Sequence, residues 1–146
     1  MAVGLKIDFL WYQIGTPDFL HSFFSTISVN LEEGKWGSKY PTLMNDLYHG
    51  KLSWKKANKV IEELNLIKEE LKRFSLEYVV WDIDDISKLP PWGKNINSDI
   101  TDLSNYFITS DGRDLISLII MALKDSIYEK IDVEIINLYN LKVRGN

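Results

Sequence analysis

The longest regular pattern in the 146-residue sequence is an amphipathic repeat between Trp54 and Phe74. Its apolar members recur at every third or fourth position and are Ala57, Val60, Ile61, Leu64, Ile67, Leu71 and Phe74. Lysines and glutamates fill the remaining positions, so a helix here has one apolar side and one charged side. Ser53 directly before the repeat supplies an N-cap oxygen. The sequence therefore predicts a long helix that exposes its charged side to solvent.

The N-terminal third of the chain predicts a strand followed by two helices. Residues 4–14 mix β-branched and aromatic side chains and predict a first strand. Thr16 and Pro17 then provide an N-cap and a proline at the first helical position. The apolar stripe of this helix consists of Phe19, Leu20, Phe23, Phe24, Ile27 and Leu31. A short second helix begins near Pro41 and is closed by Gly50.

The C-terminal half predicts two further strands on either side of an irregular loop and a helix. EYVVWDID, 77–84, alternates so that Trp81 lies on a buried face of a strand while Asp82 and Asp84 lie on the other. A long irregular connection follows over 87–105. A helix is predicted near 112–128, with Ser110 or Asp111 as its N-cap. Its own apolar side chains cover most of its circumference, so we expect it to be the most buried helix. A last strand is predicted over 130–139, with a frayed tail over 140–146.

These elements predict an α+β fold with a small, mainly antiparallel sheet of about three to four strands packed with about four helices. A chain of this length normally forms one core, so we expect a single domain over 1–146. Its 45% hydrophobic content is sufficient for that core. No internal repeat or linker marks a second domain.

Composition excludes several classes of function. The chain has no cysteine, which removes disulfides, thiolate metal sites and a cysteine nucleophile. The start of the sequence lacks a signal-peptide pattern, and the longest apolar stretch, near 115–123, is far shorter than the ~20 residues that span a bilayer. A net charge of −4 opposes nucleic-acid binding. We therefore expect a cytoplasmic protein that binds neither nucleic acid nor membrane and needs no cofactor.

The stretch WDIDDISKLPPWGKN, 81–95, is the best candidate for chemistry. On a strand, Asp82 and Asp84 lie about 7 Å apart at Cα, a spacing that suits a divalent cation or acid–base catalysis. Together with Asp111 they define one hypothesis, a metal-dependent hydrolase. The stretch lacks the spacing and turn glycine of a calcium loop, however, and neither His21 nor His49 has a second ligand at i+3 or i+4. A solvated or partner-facing strand end explains the carboxylates better.

Two tryptophans, Trp36 and Trp92, lie in predicted loops beside charged residues. Loop tryptophans in such positions are typical anchors of protein contacts. They also fold back over a sheet in many proteins, and the rigid Pro-Pro-Trp-Gly corner suits either arrangement.

Four separated motifs occur in the order WYQIGTPDFLHSFF, WGSKYPTLMNDLYHG, VVWDIDDISKLPPWG and LSNYFITSDGRDL. Together they resemble the bacterial immunity protein 70 family, and the resemblance covers about residues 4–138. The resemblance implies an antitoxin without catalytic activity that binds the C-terminal domain of a cognate polymorphic toxin. The polymorphic toxins paired with this family include those with an LXG secretion domain. Such toxins are often nucleases with basic clefts, which an acidic inhibitor complements. The resemblance implies no particular oligomeric state.

Charge and loop position then select a hypothetical partner-binding face. It comprises Asp82, Asp84, Asp85, Trp92, Asp99, Asp102 and Trp36. The resemblance itself assigns no catalytic or metal-binding residue.

Overall fold

The structure, a computed structural model, describes residues 2–137 and has an α+β fold. Its four strands are β1 Val3–Ile7, β2 Leu10–Gly15, β3 Lys51–Leu52 and β4 Val133–Asn137. Its helices are α1 Pro17–Leu31, a π-helical turn Thr42–Leu47, α2 Ala57–Leu71 and α3 Leu115–Glu129, with 3-10 turns at Trp54–Lys56 and Leu76–Tyr78. All strand pairs are antiparallel, in the order β2, β1, β4, β3. The predicted fold class is confirmed, and the predicted tail, 140–146, lies outside the described residues.

The single strand predicted over 4–14 is wrong, because the segment is a hairpin. β1 and β2 pair from Val3 with Gly15 to Ile7 with Leu10, around a turn at Asp8 and Phe9. Asp8 adopts φ 53°, a left-handed conformation that aspartate tolerates better than most residues. The turn contains no glycine or proline, so the usual hairpin signal is missing from the sequence.

The predicted N-caps Thr16 and Ser53 are both confirmed. The Thr16 hydroxyl accepts a hydrogen bond from the Phe19 amide at 3.2 Å, with Pro17 at the first helical position. Ser53 caps the 3-10 turn that leads into α2. The apolar sides of α1, α2 and α3 share one core with the inward side chains of β1, represented by Leu5 and Ile7.

Two predictions about the last helix are wrong. Asp114 caps α3 by accepting the Ser117 amide at 3.0 Å, whereas Ser110 and Asp111 belong to a preceding turn. The helix with the largest buried share is α1 and not α3, because α1 also buries a row of hydroxyl side chains. Those buried hydroxyl residues are Ser22, Ser25, Thr26 and Ser28.

The strand predicted over 77–84 is absent, since no sheet partner faces that segment in the described part of the chain. A 3-10 turn covers Leu76–Tyr78, and residues 79–83 run as irregular backbone along α1. The last predicted strand is confirmed as β4, with residues 138–139 of the prediction outside the described range. The two-residue strand β3 was not predicted, because two residues are too few to show an alternating pattern.

Candidate functional site

The buried hydroxyls of α1 fix the segment that carries the acidic residues. The Val80 carbonyl accepts hydrogen bonds from Ser22 Oγ at 2.8 Å and Thr26 Oγ1 at 3.1 Å, and the Val80 amide donates to Thr26 Oγ1 at 3.0 Å. The Ile83 amide donates to Ser25 Oγ at 3.1 Å. These bonds satisfy backbone groups that a neighbouring strand would otherwise satisfy. Segment 79–83 is therefore anchored to α1 on both sides of Asp82.

Asp82 is the centre of the acidic turn. Its Oδ1 accepts the Asp84 amide at 2.9 Å and lies 3.3 Å from His21 Nε2, while its Oδ2 lies 3.5 Å from Lys88 Nζ. The hydrogen bond from the Asp84 amide is the main cause of a lowered pKa at Asp82, and His21 and Lys88 add to the shift. The carboxylate is thus used to hold its own loop against α1.

His21 joins the acidic turn to an aromatic cluster. Its Nδ1 lies 2.8 Å from the Tyr48 hydroxyl, and its ring stacks on Trp36 at 6.1 Å between centroids. Burial raises the pKa of Tyr48, and the charges of Asp84 and Asp82 raise it further. Trp36, predicted as a loop anchor, donates its indole N–H to the Met44 carbonyl at 2.8 Å. It therefore folds back on the protein but stays next to the acidic turn.

Trp92 also folds back from its rigid corner. It donates its indole N–H to the Tyr106 hydroxyl at 2.8 Å and packs edge-on against Trp81 at 5.3 Å. Trp92 remains 36% exposed, so part of the residue is open to a partner.

Three further predicted aspartates, Asp85, Asp99 and Asp102, differ in how much of the carboxylate is free. Asp85 is exposed, although its Oδ1 accepts the Ser87 amide at 3.2 Å. Asp102 is half-buried; burial opposes its ionisation, but hydrogen bonds from Ser104 and Thr101 outweigh burial and lower its pKa. Asp99 is exposed, and within residues 2–137 its carboxylate has no hydrogen-bond partner. The Asp102 carboxylate therefore stabilises its own turn, whereas the Asp99 carboxylate is exposed to solvent.

An apolar groove of 610 Å³ lies beside these residues. Its lining includes Leu76, Val79, Leu89, Pro90, Ile96 and Ile100. Asp99 borders it, because the flanking residues Ser98 and Ile100 both belong to the lining. The loop that begins at Asp84 and passes the groove thus combines free carboxylates with apolar surface.

Sequence reasoning missed the exposed apolar residues of this loop. Ile86 is 73% exposed and Leu89 is 78% exposed. The available signal was the presence of isoleucine and leucine in a stretch without helical or strand periodicity. We call the exposed residues Asp84, Asp85, Ile86, Leu89 and Asp99 the loop face.

The net charge of the protein is concentrated around the loop face. Residues 77–102 contain six of the 21 acidic residues and two of the 17 basic residues, which gives −4 for this segment. The remaining fifteen acidic and fifteen basic residues cancel. The excess negative charge of the sequence therefore falls within the segment that carries the loop face.

The structure brings together two of the three residues of the hydrolase hypothesis, Asp82 and Asp84. Within residues 2–137, the side chains that could share one metal ion are His21, Asp82 and Asp84, whose ligand atoms lie within 4.8 Å of one another. Asp111 is not in this group, and its carboxylate accepts a hydrogen bond from the Thr109 hydroxyl. The three predicted aspartates thus do not form the expected set.

No helix within residues 2–137 has the length and apolar character needed to cross a membrane.

Comparison with known proteins gives one match. A family model described as Immunity protein 70 matches residues 5–135, which include all seven predicted face residues. No curated protein and no solved structure matches the chain.

Proposed function

The chain belongs to the immunity protein 70 family, and on that premise we propose that it binds and neutralises the toxic C-terminal domain of a cognate polymorphic toxin. The observation that carries the proposal is the family match over residues 5–135. We further propose that the toxin has an LXG secretion domain and a nuclease as its C-terminal domain. The protein acts in the cytoplasm, by occupying the toxin and without chemistry of its own.

The charge distribution supports a basic partner. A nuclease must hold phosphates, so its cleft is rich in lysine and arginine. The negative region over 77–102 complements such a cleft, which accelerates association and excludes the nucleic-acid substrate. The free carboxylates of Asp84 and Asp99 are the best placed to contribute.

The apolar part of the loop face supports a stable complex. Binding energy in protein interfaces comes mainly from a few apolar or aromatic anchors that lose contact with water. Ile86 and Leu89 are exposed to solvent and can act as anchors that insert into the partner. The groove, which Leu89 also lines, can receive side chains of the partner. Charge speeds the encounter, and apolar burial slows dissociation.

Association kinetics with the toxin domain encoded next to this chain test the proposal. We expect the double variant Asp84→Lys/Asp99→Lys to associate at least tenfold more slowly at low salt, because steering by the acidic surface is lost. The matched control is Glu62→Lys/Glu129→Lys, which changes net charge equally at two exposed sites on α2 and α3. It should associate at close to the wild-type rate.

Two results would count against the proposal. If no complex forms with the wild-type protein, the immunity function is wrong. If both double variants slow association equally, the function stands but the loop face is the wrong surface.

A further inference from the structure

A histidine and two aspartates from distant parts of the chain meet at the start of the loop face. His21 lies on α1, and Asp82 and Asp84 follow the segment that α1 anchors. One ligand atom from each lies within 4.8 Å of the other two, and His21 Nε2 is 3.3 Å from Asp82 Oδ1. Ligand atoms bound tetrahedrally to one zinc ion at ~2.0–2.2 Å are about 3.3–3.6 Å apart, which matches the distance between His21 Nε2 and Asp82 Oδ1 and is shorter than the 4.8 Å limit of the whole cluster. Only the exposed Asp84 side chain has to adjust.

We propose that His21, Asp82 and Asp84 form a binding site for one divalent transition-metal ion, with Zn²⁺ as the best match. One imidazole nitrogen and two carboxylates favour zinc over magnesium and calcium, which prefer oxygen ligands alone. This inference does not depend on the toxin-binding function.

The imidazole is already oriented for such a role. The Tyr48 hydroxyl lies 2.8 Å from His21 Nδ1, and Trp36 stacks on the ring, so Nε2 is directed at the carboxylates. Metal-bound histidines normally have a hydrogen-bond partner on the second ring nitrogen. A bound ion would replace the hydrogen bond between His21 Nε2 and Asp82, while Nδ1–H donates to the Tyr48 oxygen.

Two features show how an ion would fit the local charges. The Asp84 carboxylate has no hydrogen-bond partner within residues 2–137, although it lies beside Asp82 in an already negative region. Lys88 Nζ lies 3.5 Å from Asp82 Oδ2, so an ammonium group partly neutralises the carboxylate that the metal would bind. A bound ion would compete with Lys88 and would link α1 directly to the acidic turn.

Calorimetric titration of the chelator-treated full-length protein with Zn²⁺ tests the site. We expect saturable binding of one ion in the micromolar range, a raised melting temperature, and no comparable response to Mg²⁺. Asp84→Asn should weaken Zn²⁺ binding at least tenfold without unfolding the protein, because this carboxylate makes no contact that the fold requires. Lys88→Gln should strengthen binding, because it removes the competing cation.

His49→Gln is the matched control, since His49 is the other imidazole of the chain and lies outside the cluster. It should bind Zn²⁺ with wild-type affinity. Co²⁺ added to the wild-type protein should give a visible absorption band that Asp84→Asn abolishes. The absence of one-to-one binding below millimolar Zn²⁺, or undiminished binding in Asp84→Asn, would overturn the proposal.

Discussion

At the scale of single residues, the most constrained side chain in the region next to the site is a buried glutamate. Glu32 is 3% exposed, and its carboxylate accepts hydrogen bonds from the amides of Gly37, Lys39 and Tyr40 at 2.9–3.0 Å. It thereby organises the loop that carries Trp36. Hydrogen bonds to a charged acceptor contribute more than neutral ones, and the buried Tyr40 amide has no access to water as a replacement.

Glu32→Ala should lower the free energy of unfolding by about 2 kcal/mol, because it leaves the buried Tyr40 amide unpaired. Denaturant unfolding monitored by tryptophan fluorescence measures this loss. Glu62→Ala, an exposed glutamate on α2, is the control and should change stability by less than about 0.5 kcal/mol. Equal stability of the two variants would show that the carboxylate does not organise the loop.

The sequence identified the acidic residues of the site but not what holds them. Asp82, Asp84 and Asp85 were predictable because three aspartates within four positions stand out in any composition. Their partner His21 lies 61 residues from Asp82, and single-sequence periodicity carries no information about contacts at that separation. For the same reason the sequence left both arrangements of Trp36 and Trp92 open, and the structure shows that both rings fold back.

At the scale of secondary-structure elements, α1 combines two functions. Its phenylalanines belong to the core, and its hydroxyl row replaces a neighbouring strand as partner for residues 79–83. The alternating apolar residues in EYVVWDID therefore predicted a strand, whereas the structure has an irregular segment that is hydrogen-bonded to side chains of α1. The amphipathic pattern of α2 and the caps of α1 were predicted well, because helix signals are local in sequence. The hairpin was not predicted, because its turn contains no glycine or proline. The strand β3 was not predicted either, because two residues are too few to show a periodic pattern.

The hydroxyl row allows a controlled comparison on one helix. Thr26→Val should destabilise the protein by about 1–2 kcal/mol, because it keeps the shape of the side chain but leaves the Val80 amide without its partner. Hydrogen exchange at Val80 should become faster. Thermal unfolding and amide exchange measure the two effects.

Ser28→Ala is the matched control for Thr26→Val. The Ser28 hydroxyl is buried on the same helix without a hydrogen-bond partner within residues 2–137, so its removal should be neutral or stabilising. Similar destabilisation by both variants would mean that packing, and not the hydrogen bonds to Val80, fixes the segment.

At the scale of the whole molecule, the sheet and the last helix are joined by a partly buried polar contact. The Tyr12 hydroxyl on β2 donates a hydrogen bond to Asp125 on α3. Burial, followed by the hydrogen bond to Asp125, raises the pKa of Tyr12 from 10.0 to about 12. The folded protein thus keeps the Tyr12 proton in a pH range where the unfolded chain releases it.

Stability should consequently fall as the pH rises from about 10 to about 12. The contribution of Tyr12 is complete below the pKa of the unfolded chain and is lost as the pH approaches the raised pKa of the folded state. Tyr12→Phe should make the decline shallower, whereas Tyr128→Phe, at an exposed tyrosine, should leave it unchanged. Denaturant unfolding at several alkaline pH values measures the slope, and equal slopes in Tyr12→Phe and wild type would contradict the assignment.

The central claim is our proposal that the protein inhibits a cognate toxin through the surface around Asp84 and Asp99, within the segment 77–102 that carries an excess of four negative charges. Growth of a heterologous host that expresses the adjacent toxin domain tests it most directly. We predict that co-expression of the wild-type chain restores growth, that Glu62→Lys/Glu129→Lys restores it equally, and that Asp84→Lys/Asp99→Lys restores it less. Continued growth arrest in the presence of the folded wild-type chain would contradict the account.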